Sequence, residues 1–181
     1  MVDAAAALLD LARSRPPTLG AGRLVCIDGP AGSGKTTLAA AVAALEPGAR
    51  VIHMDDLYDG WHGLSKVAAQ LDDLLRPLAG GGPGSYRRFD WHAGRFVETV
   101  DVEPVPLLVI EGVGSGARAV AGLVTALAWV EAPWSERLRR GLERDGEAMR
   151  PEWEQWQVDE AALFEHEDTR GRADLIVDTS A

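Results

Sequence analysis

The sequence predicts an α/β protein with a central parallel sheet of about five strands and helices on both faces, on three observations. Short apolar runs at 24–27, 51–54, 107–110, 127–130 and 175–177 alternate with longer stretches of helical pattern. The run at 107–110 is apolar throughout, as expected of a strand buried on both faces. Gly29, Pro30, Ala31, Gly32, Ser33, Gly34, Lys35 and Thr36 form a complete G-x-x-x-x-G-K-[ST] loop between the first apolar run and an alanine-rich stretch at 37–45. Strand, glycine loop and helix in that order are the context a phosphate-binding loop requires. The expectation is therefore a P-loop NTPase fold.

The elements follow in order. Residues 3–14 read as an amphipathic helix, stopped by Pro16 and Pro17 and packed on the outside of the domain. After the first strand and the loop, a helix runs to about Leu45 and is ended by Pro47 and Gly48. The second strand, 51–54, leads into Asp55 and Asp56. Residues 64–78 carry Leu71, Leu74, Leu75 and Leu78 on one helical stripe, and the glycines at 80–84 break it. Residues 86–91 and 96–102 suggest a hairpin. The strand at 107–110 ends in Glu111 and Gly112. Beyond the strand at 127–130, helices are expected at 133–146 and 152–167 before a last strand at 175–177. The whole, 1–181, reads as one domain, with an N-terminal helix and linker at 1–20 and an arginine-bearing lid and C-terminal helices over 130–172.

Composition narrows the function. A length of 181 residues supports one substantial core. A net charge of -10 argues against a nucleic-acid partner, because phosphate backbones attract Lys and Arg. The one cysteine, Cys26, lies inside the first strand, where it reads as a small buried hydrophobe. The N-terminus has no positive region ahead of its apolar run, and the longest apolar run, 119–130, is short of the roughly 20 residues that cross a bilayer. These features lead to the expectation of a cytoplasmic protein with no membrane partner. The oligomeric state is left open, a homo-oligomer included.

The chemistry expected of these residues is phosphoryl transfer. Backbone N–H groups of the loop and the positive end of the following helix cradle phosphate oxygens. Residues 29–37, Thr37 included, are the expected nucleotide site. Lys35 is expected on the β- and γ-phosphates and the Thr36 hydroxyl on Mg²⁺. In open parallel sheets ligands bind at the carboxyl ends of the strands, and three strands deliver chemistry there: the first the loop, the second Asp55, the third Glu111. Thr36 and Glu111 can serve the metal. Asp55 can take a proton from an acceptor hydroxyl, orient it, or help bind Mg²⁺. On the helix after the fourth strand, Arg140 and Arg144 are i,i+4 neighbours able to clamp phosphates and stabilise transition-state charge. Arg137 falls near their face and Arg139 points elsewhere. His53 reads as a buried, hydrogen-bonded residue. Trp129, Trp134, Trp153 and Trp156 read as structural, the last two packing one helix face on the sheet.

Taken together, the chain resembles the uridine kinase and phosphoribulokinase branch of the P-loop kinases, from about Arg23 to Asp178. Asp55-Asp-Leu-Tyr58 is similar to that family's D-x-F-Y segment, whose aspartate is the catalytic base. The block from Tyr86 to Pro104 resembles its Y-D-F…H-x-R…T…P stretch, followed there as here by a strand and E-G. The segment from Arg137 to Asp145 resembles its arginine lid helix, and 169–177 its usual ending. The resemblance implies ATP and Mg²⁺ as cofactors and a small-molecule phosphate acceptor, a nucleoside first, with a sugar or pantothenate-like alcohol second. A regulatory ATPase is the alternative from another class. Tyr58, Trp61, Phe89, Asp90 and His92 are the expected acceptor residues, with Trp91 beside them. Three departures fall in the acceptor site. No H-P-x-A-F-D segment lies between Trp61 and Leu78, Phe89 stands where the family usually has Tyr, and His92 is one residue short of the family's histidine.

Overall fold

The computed structural model describes residues 1–180. Five strands form one parallel sheet in the order β2-β5-β1-β6-β7: β1 (Arg23–Asp28), β2 (Ala49–His53), β5 (Leu107–Glu111), β6 (Ala126–Glu131) and β7 (Leu175–Asp178). β3 (Gly84–Asp90) and β4 (Arg95–Val102) make a separate antiparallel hairpin. The helices are α1 (Val2–Ser14), α2 (Lys35–Leu45), α3 (Val67–Ala79), α4 (Trp134–Asp145), α5 (Arg150–Glu167) and the single turn α6 (Thr169–Arg172).

Successive strand side chains point to opposite faces, and β1 shows the consequence. Leu24 and Cys26 join one buried cluster with Leu71, Leu74 and Leu75 of α3 and Trp156 of α5. Val25 and Ile27 join a second with Leu8 of α1 and Leu38 and Val42 of α2. Every residue of β5 is buried, as its unbroken apolar run requires. The expected sheet, sandwiched by helices, is therefore present.

Two expectations are corrected. Helix α1 is not an external addition: Ala5, Leu8, Leu9 and Ala12 are buried and close the core over α2 and the sheet. The helix expected from 64 begins at Val67, because residues Gly60–Lys66 take a tighter 3-10 turn. That turn brings Gly63 against the Tyr58 backbone so closely that a Cβ would lie 2.9 Å from Tyr58 Cα.

Because Leu8 is fully buried, Leu8→Ala should lower unfolding free energy by about 2–5 kcal/mol. Urea denaturation of the full chain measures it; a change below about 0.5 kcal/mol, the size of an ordinary surface substitution, would return α1 to a peripheral role.

Candidate active site

A cleft of about 790 Å³ opens at the carboxyl ends of β1, β2 and β5. Its floor is the loop between β1 and α2. Lys35 is buried and its Nζ donates to the Pro30 carbonyl at 2.9 Å, across the loop. At the start of α2 the amides of Thr37 and Leu38 bond the Gly34 carbonyl, which leaves those of Lys35 and Thr36, with no carbonyl one turn earlier, as the anion donors. Gly32, at φ 76°, sits where a side chain would strike the Arg137 carbonyl oxygen at 2.6 Å. The loop can lie this close to α4 only with glycine there.

Buried carboxylates hold the loop from behind. Asp28, the last residue of β1, accepts the amides of Gly29, Gly114 and Gly116 at 2.7, 2.9 and 2.9 Å. Burial pushes its pKa up to about 6 against these three hydrogen bonds and the charge of Lys35. Glu160 of α5 accepts the Ala31 N–H at 2.7 Å and pairs with Arg137 at 2.6 Å. Burial raises the Glu160 pKa also, with Ala31, Lys35 and Arg137 opposing. Arg140 donates to the Gly32 carbonyl at 3.1 Å, to Glu136, and to Thr179 beyond β7. Thr179 Oγ1 in turn donates to the Ser33 carbonyl at 2.6 Å.

Across the floor stand the carboxylates. Glu111 ends β5 and is nearly buried. The Thr36 hydroxyl donates to its Oε1 at 2.9 Å, and His53 Nδ1 shares the same oxygen at 2.6 Å. His53 and Glu111 are directly opposed in the β2–β5 ladder. The hydrogen bond to Glu111 raises the His53 pKa. Asp55 lies in the 3-10 turn after β2 and lines the cleft. Asp55 is exposed to solvent in the cleft, and its pKa is raised by partial desolvation between the walls and by the charge of Glu111, against Lys35, Arg144 and His53. Gly112, at φ 137°, lets this turn seat on the end of β5: a Cβ there would be 2.4 Å from Met54 Cβ.

The oxygens of Thr36 and Glu111 are hard donors on adjacent elements. Among the described residues no group of three or more His, Cys, Asp or Glu could hold a metal alone. The donor set therefore suits Mg²⁺, which takes one or two protein oxygens and completes its shell with water and phosphate oxygens.

The remaining wall is aromatic. Trp61, Trp91, Trp153 and Trp156 line the cleft with Tyr58. Trp61 lies 5.5, 6.2 and 5.8 Å from the rings of Trp91, Trp153 and Trp156, all edge-on. Arg144 is held by two hydrogen bonds from its guanidinium to Asp145 and lies 5.6 Å over the Trp153 ring.

Of the residues singled out by sequence, Ala31, Gly32, Gly34, Lys35, Thr36, Thr37, Asp55, Tyr58, Trp61, His92, Glu111, Arg140 and Arg144 line this one cleft. Gly29, Pro30 and Ser33 form the back of the loop. Phe89 and Asp90 do not line the cleft. Phe89 packs edge-on against Trp91 and Phe96, and the Asp90 carboxylate accepts the amides of His92 and Ala93 in its own hairpin turn. Tyr58 is fully buried with its hydroxyl donated to the Val113 carbonyl. Trp153 and Trp156 are buried, Trp156 in one cluster with Leu24 and Cys26 of the sheet as expected, and both also border the cleft. His53, expected buried, is half exposed, and Trp134 is largely exposed. Asp28, Glu160, Asp145 and Thr179 escaped sequence reading; Asp28 alone had a local signal, as the carboxylate just before the loop.

No family model matches the chain, and no curated protein matches it. Solved structures do. A possible uridine kinase from Bacillus stearothermophilus aligns at 21% identity and TM-score 0.62, over 87% of this chain and 89% of that one. A provisionally assigned fructose transport system kinase from Silicibacter sp. TM1040 aligns at 20% and 0.64, over 96% and 98%. D-glycerate 3-kinase from Cryptococcus neoformans aligns at 14% and 0.51, over 80% and 77%. The fold is that of the P-loop kinases. In this P-loop kinase fold the loop, Asp55 and Glu111 stand at the ends of three neighbouring strands. No helix among the described residues is long and apolar enough to cross a membrane.

Asp28 has a folded pKa near 6 against an ordinary 3.8, so protonation favours the folded state. Its contribution is fullest below pH 3.8 and falls as pH rises through 6. The stability of Asp28→Asn relative to the parent chain should therefore rise between pH 4 and 6, measured by denaturation at fixed ionic strength. A pH-independent difference would mean that Asp28 is not held in this environment.

Proposed function

We propose that this chain is an ATP- and Mg²⁺-dependent kinase that transfers the γ-phosphoryl group to a hydroxyl of a small molecule, a nucleoside or nucleoside-like alcohol first. The observation that carries the reading is the single cleft shared by Lys35, Thr36, Glu111 and Asp55. Phosphoryl transfer requires phosphate positioning, charge neutralisation and an oriented nucleophile, and each has a residue here. Lys35 and the loop amides hold the phosphates. Thr36 and Glu111 would hold Mg²⁺, which when bound neutralises charge on the β- and γ-phosphate oxygens.

Asp55 faces the acceptor half of the cleft with a carboxylate whose raised pKa makes it a better proton acceptor than an ordinary aspartate. Because the transition state is largely dissociative, holding the hydroxyl in line is as important as removing its proton. Arg144 supplies a further positive charge on the cleft wall. Its guanidinium is exposed and electrostatically coupled to Asp55 and Glu111. Arg140, engaged with Gly32 and Thr179, braces the loop and acts on the phosphates through it. A sugar or pantothenate-like alcohol is the second acceptor class, and the names of the structural neighbours span such acceptors. A regulatory ATPase would need a water-orienting group in place of an acceptor wall; five aromatic rings beside Asp55 favour an organic acceptor.

ADP formation with MgATP should depend on an added alcohol, measured across nucleosides, sugars and pantothenate against a no-acceptor control. Asp55→Asn should lower kcat by about 10²- to 10⁴-fold with ATP binding retained, whereas Lys35→Ala should weaken both. Wild-type turnover in Asp55→Asn would remove it as base. Hydrolysis that ignores every acceptor and is lost in Lys35→Ala would favour the regulatory ATPase.

A further inference from the structure

We infer that His53 is a positioning residue for the cation: its Nδ1–H, donated to Oε1 of Glu111, fixes that carboxylate so that the other oxygen meets Mg²⁺ or a water bound to it. The inference rests on the reading above in which Thr36 and Glu111 hold the cation, and it adds a residue assigned to neither the phosphates nor the acceptor.

The sheet brings the two together. β2 and β5 run parallel with His53 opposite Glu111, so both side chains leave the ladder on one face. The preceding pair, Ile52 and Ile110, points the other way into the core. His53 and Glu111 are each the last residue of their strand. Glu111 is almost wholly buried, whereas the His53 side chain is 48% exposed on the edge strand.

Hydrogen-bonding chemistry assigns the roles. A carboxylate that serves a cation is ionised and can only accept. The Thr36 hydroxyl therefore donates to Oε1 at 2.9 Å, and His53 donates to the same oxygen from Nδ1 at 2.6 Å. His53 carries a proton on Nδ1 in this arrangement whether its ring is neutral or charged. Among the described residues Oε2 of Glu111 takes no hydrogen bond, although Glu111 lines the cleft. One oxygen is doubly engaged and the other is left for a ligand.

Mg²⁺ demands near-ideal octahedral geometry and is held by only one or two protein oxygens, so each must be aimed before the cation arrives. A glutamate side chain loses much rotational freedom when it is fixed. A single hydrogen bond lets the carboxylate swing about it. A second donor on the same oxygen, from a ring carried by the neighbouring strand, removes that freedom. Partners of this kind behind a metal ligand are worth about 10- to 100-fold in metal affinity. With its imidazole half exposed, the contact adds little to stability as an ion pair; its effect is on orientation.

The test titrates a fluorescent ATP analogue onto the full chain, in EDTA and across Mg²⁺ concentrations, so that no acceptor is needed. His53→Asn places an amide N–H about as far from the backbone as Nδ1, whereas His53→Gln places it further out. His53→Ala should raise the Mg²⁺ midpoint for nucleotide binding by about 10- to 100-fold, with the melting temperature and the affinity in EDTA kept. His53→Asn should recover most of that loss and His53→Gln little of it. Long-range ¹H–¹⁵N NMR of the parent chain without Mg²⁺ should find His53 protonated on Nδ1. The inference is overturned if His53→Ala leaves the midpoint unchanged while Glu111→Gln shifts it, if His53→Asn recovers nothing, or if His53 is the neutral ring with its proton on Nε2. A midpoint that Glu111→Gln also leaves unchanged, or parent binding that ignores Mg²⁺, refutes the metal reading and this inference with it. Failure to phosphorylate any alcohol refutes the kinase reading alone, since the binding titration still decides the role of His53.

Discussion

Everything in the nucleotide half of the cleft depends on a carboxylate that never faces it. Asp28 is wholly buried and accepts three backbone amides, one from the start of the P-loop and two from the segment after β5. A lone buried carboxylate is strongly disfavoured, and the rise of its pKa to about 6 measures that. Three convergent N–H groups are what make it tolerable. The consequence is geometric: the loop that carries Lys35 and Thr36 and the strand end that carries Glu111 are tied to one side chain. The 2.9 Å contact of Thr36 with Glu111 is thus set by the sheet and not by two flexible side chains.

Glu160 does the same work on the opposite side. By taking the Ala31 amide with one oxygen and Arg137 with the other, it joins the loop to both C-terminal helices. Removing one partner of such a buried pair is strongly destabilising, by about 3–5 kcal/mol, because the other is left charged and unpaired. α5 therefore has two functions on one face. Glu160 fixes the loop, and one and two turns earlier Trp156 and Trp153 form the aromatic wall. Arg144, lying over Trp153 and hydrogen-bonded to Asp145, joins the halves: a cation that acts on Asp55 is held by the aromatic wall itself.

Sequence reading found what is local. The five sheet strands, the glycine loop, and the carboxylates at or just beyond two strand ends are each written in a few consecutive residues, and their positions at the strand ends follow from topology. What it missed is set by packing. The spacing of Trp153 and Trp156 fixes that they share a helix face, but not that the face also meets Trp61. His53 alternates correctly along its strand, yet its bond to Glu111 depends on β5 being inserted between β2 and β1, a pairing no local pattern specifies. Arg140 and Arg144 sit one turn apart, as read. What the spacing does not show is that the first is tied to the loop and Thr179 while the second pairs with Asp145 beside Trp153.

The aromatic side of the cleft is set by packing more than by the sheet. Phe89 looks like a single substitution of a hydrogen-bonding tyrosine, which a hydroxyl would reverse. The structure argues otherwise. Phe89 is buried between Trp91 and Phe96 and does not reach the cleft, so a hydroxyl placed there would meet packed rings and not a ligand. The wall that shares the cleft with Asp55 comes from other segments, the turn before α3 and helix α5, together with Trp91 of the hairpin. The residues proposed to act on phosphate come from strand ends and a backbone loop whose geometry the sheet dictates, whereas the aromatic wall comes from turns and a helix face that can be replaced without disturbing a single ladder hydrogen bond. The nucleotide site is constrained by the fold and the acceptor site by side-chain packing, which is why the first was visible in the sequence and the second emerged only in three dimensions.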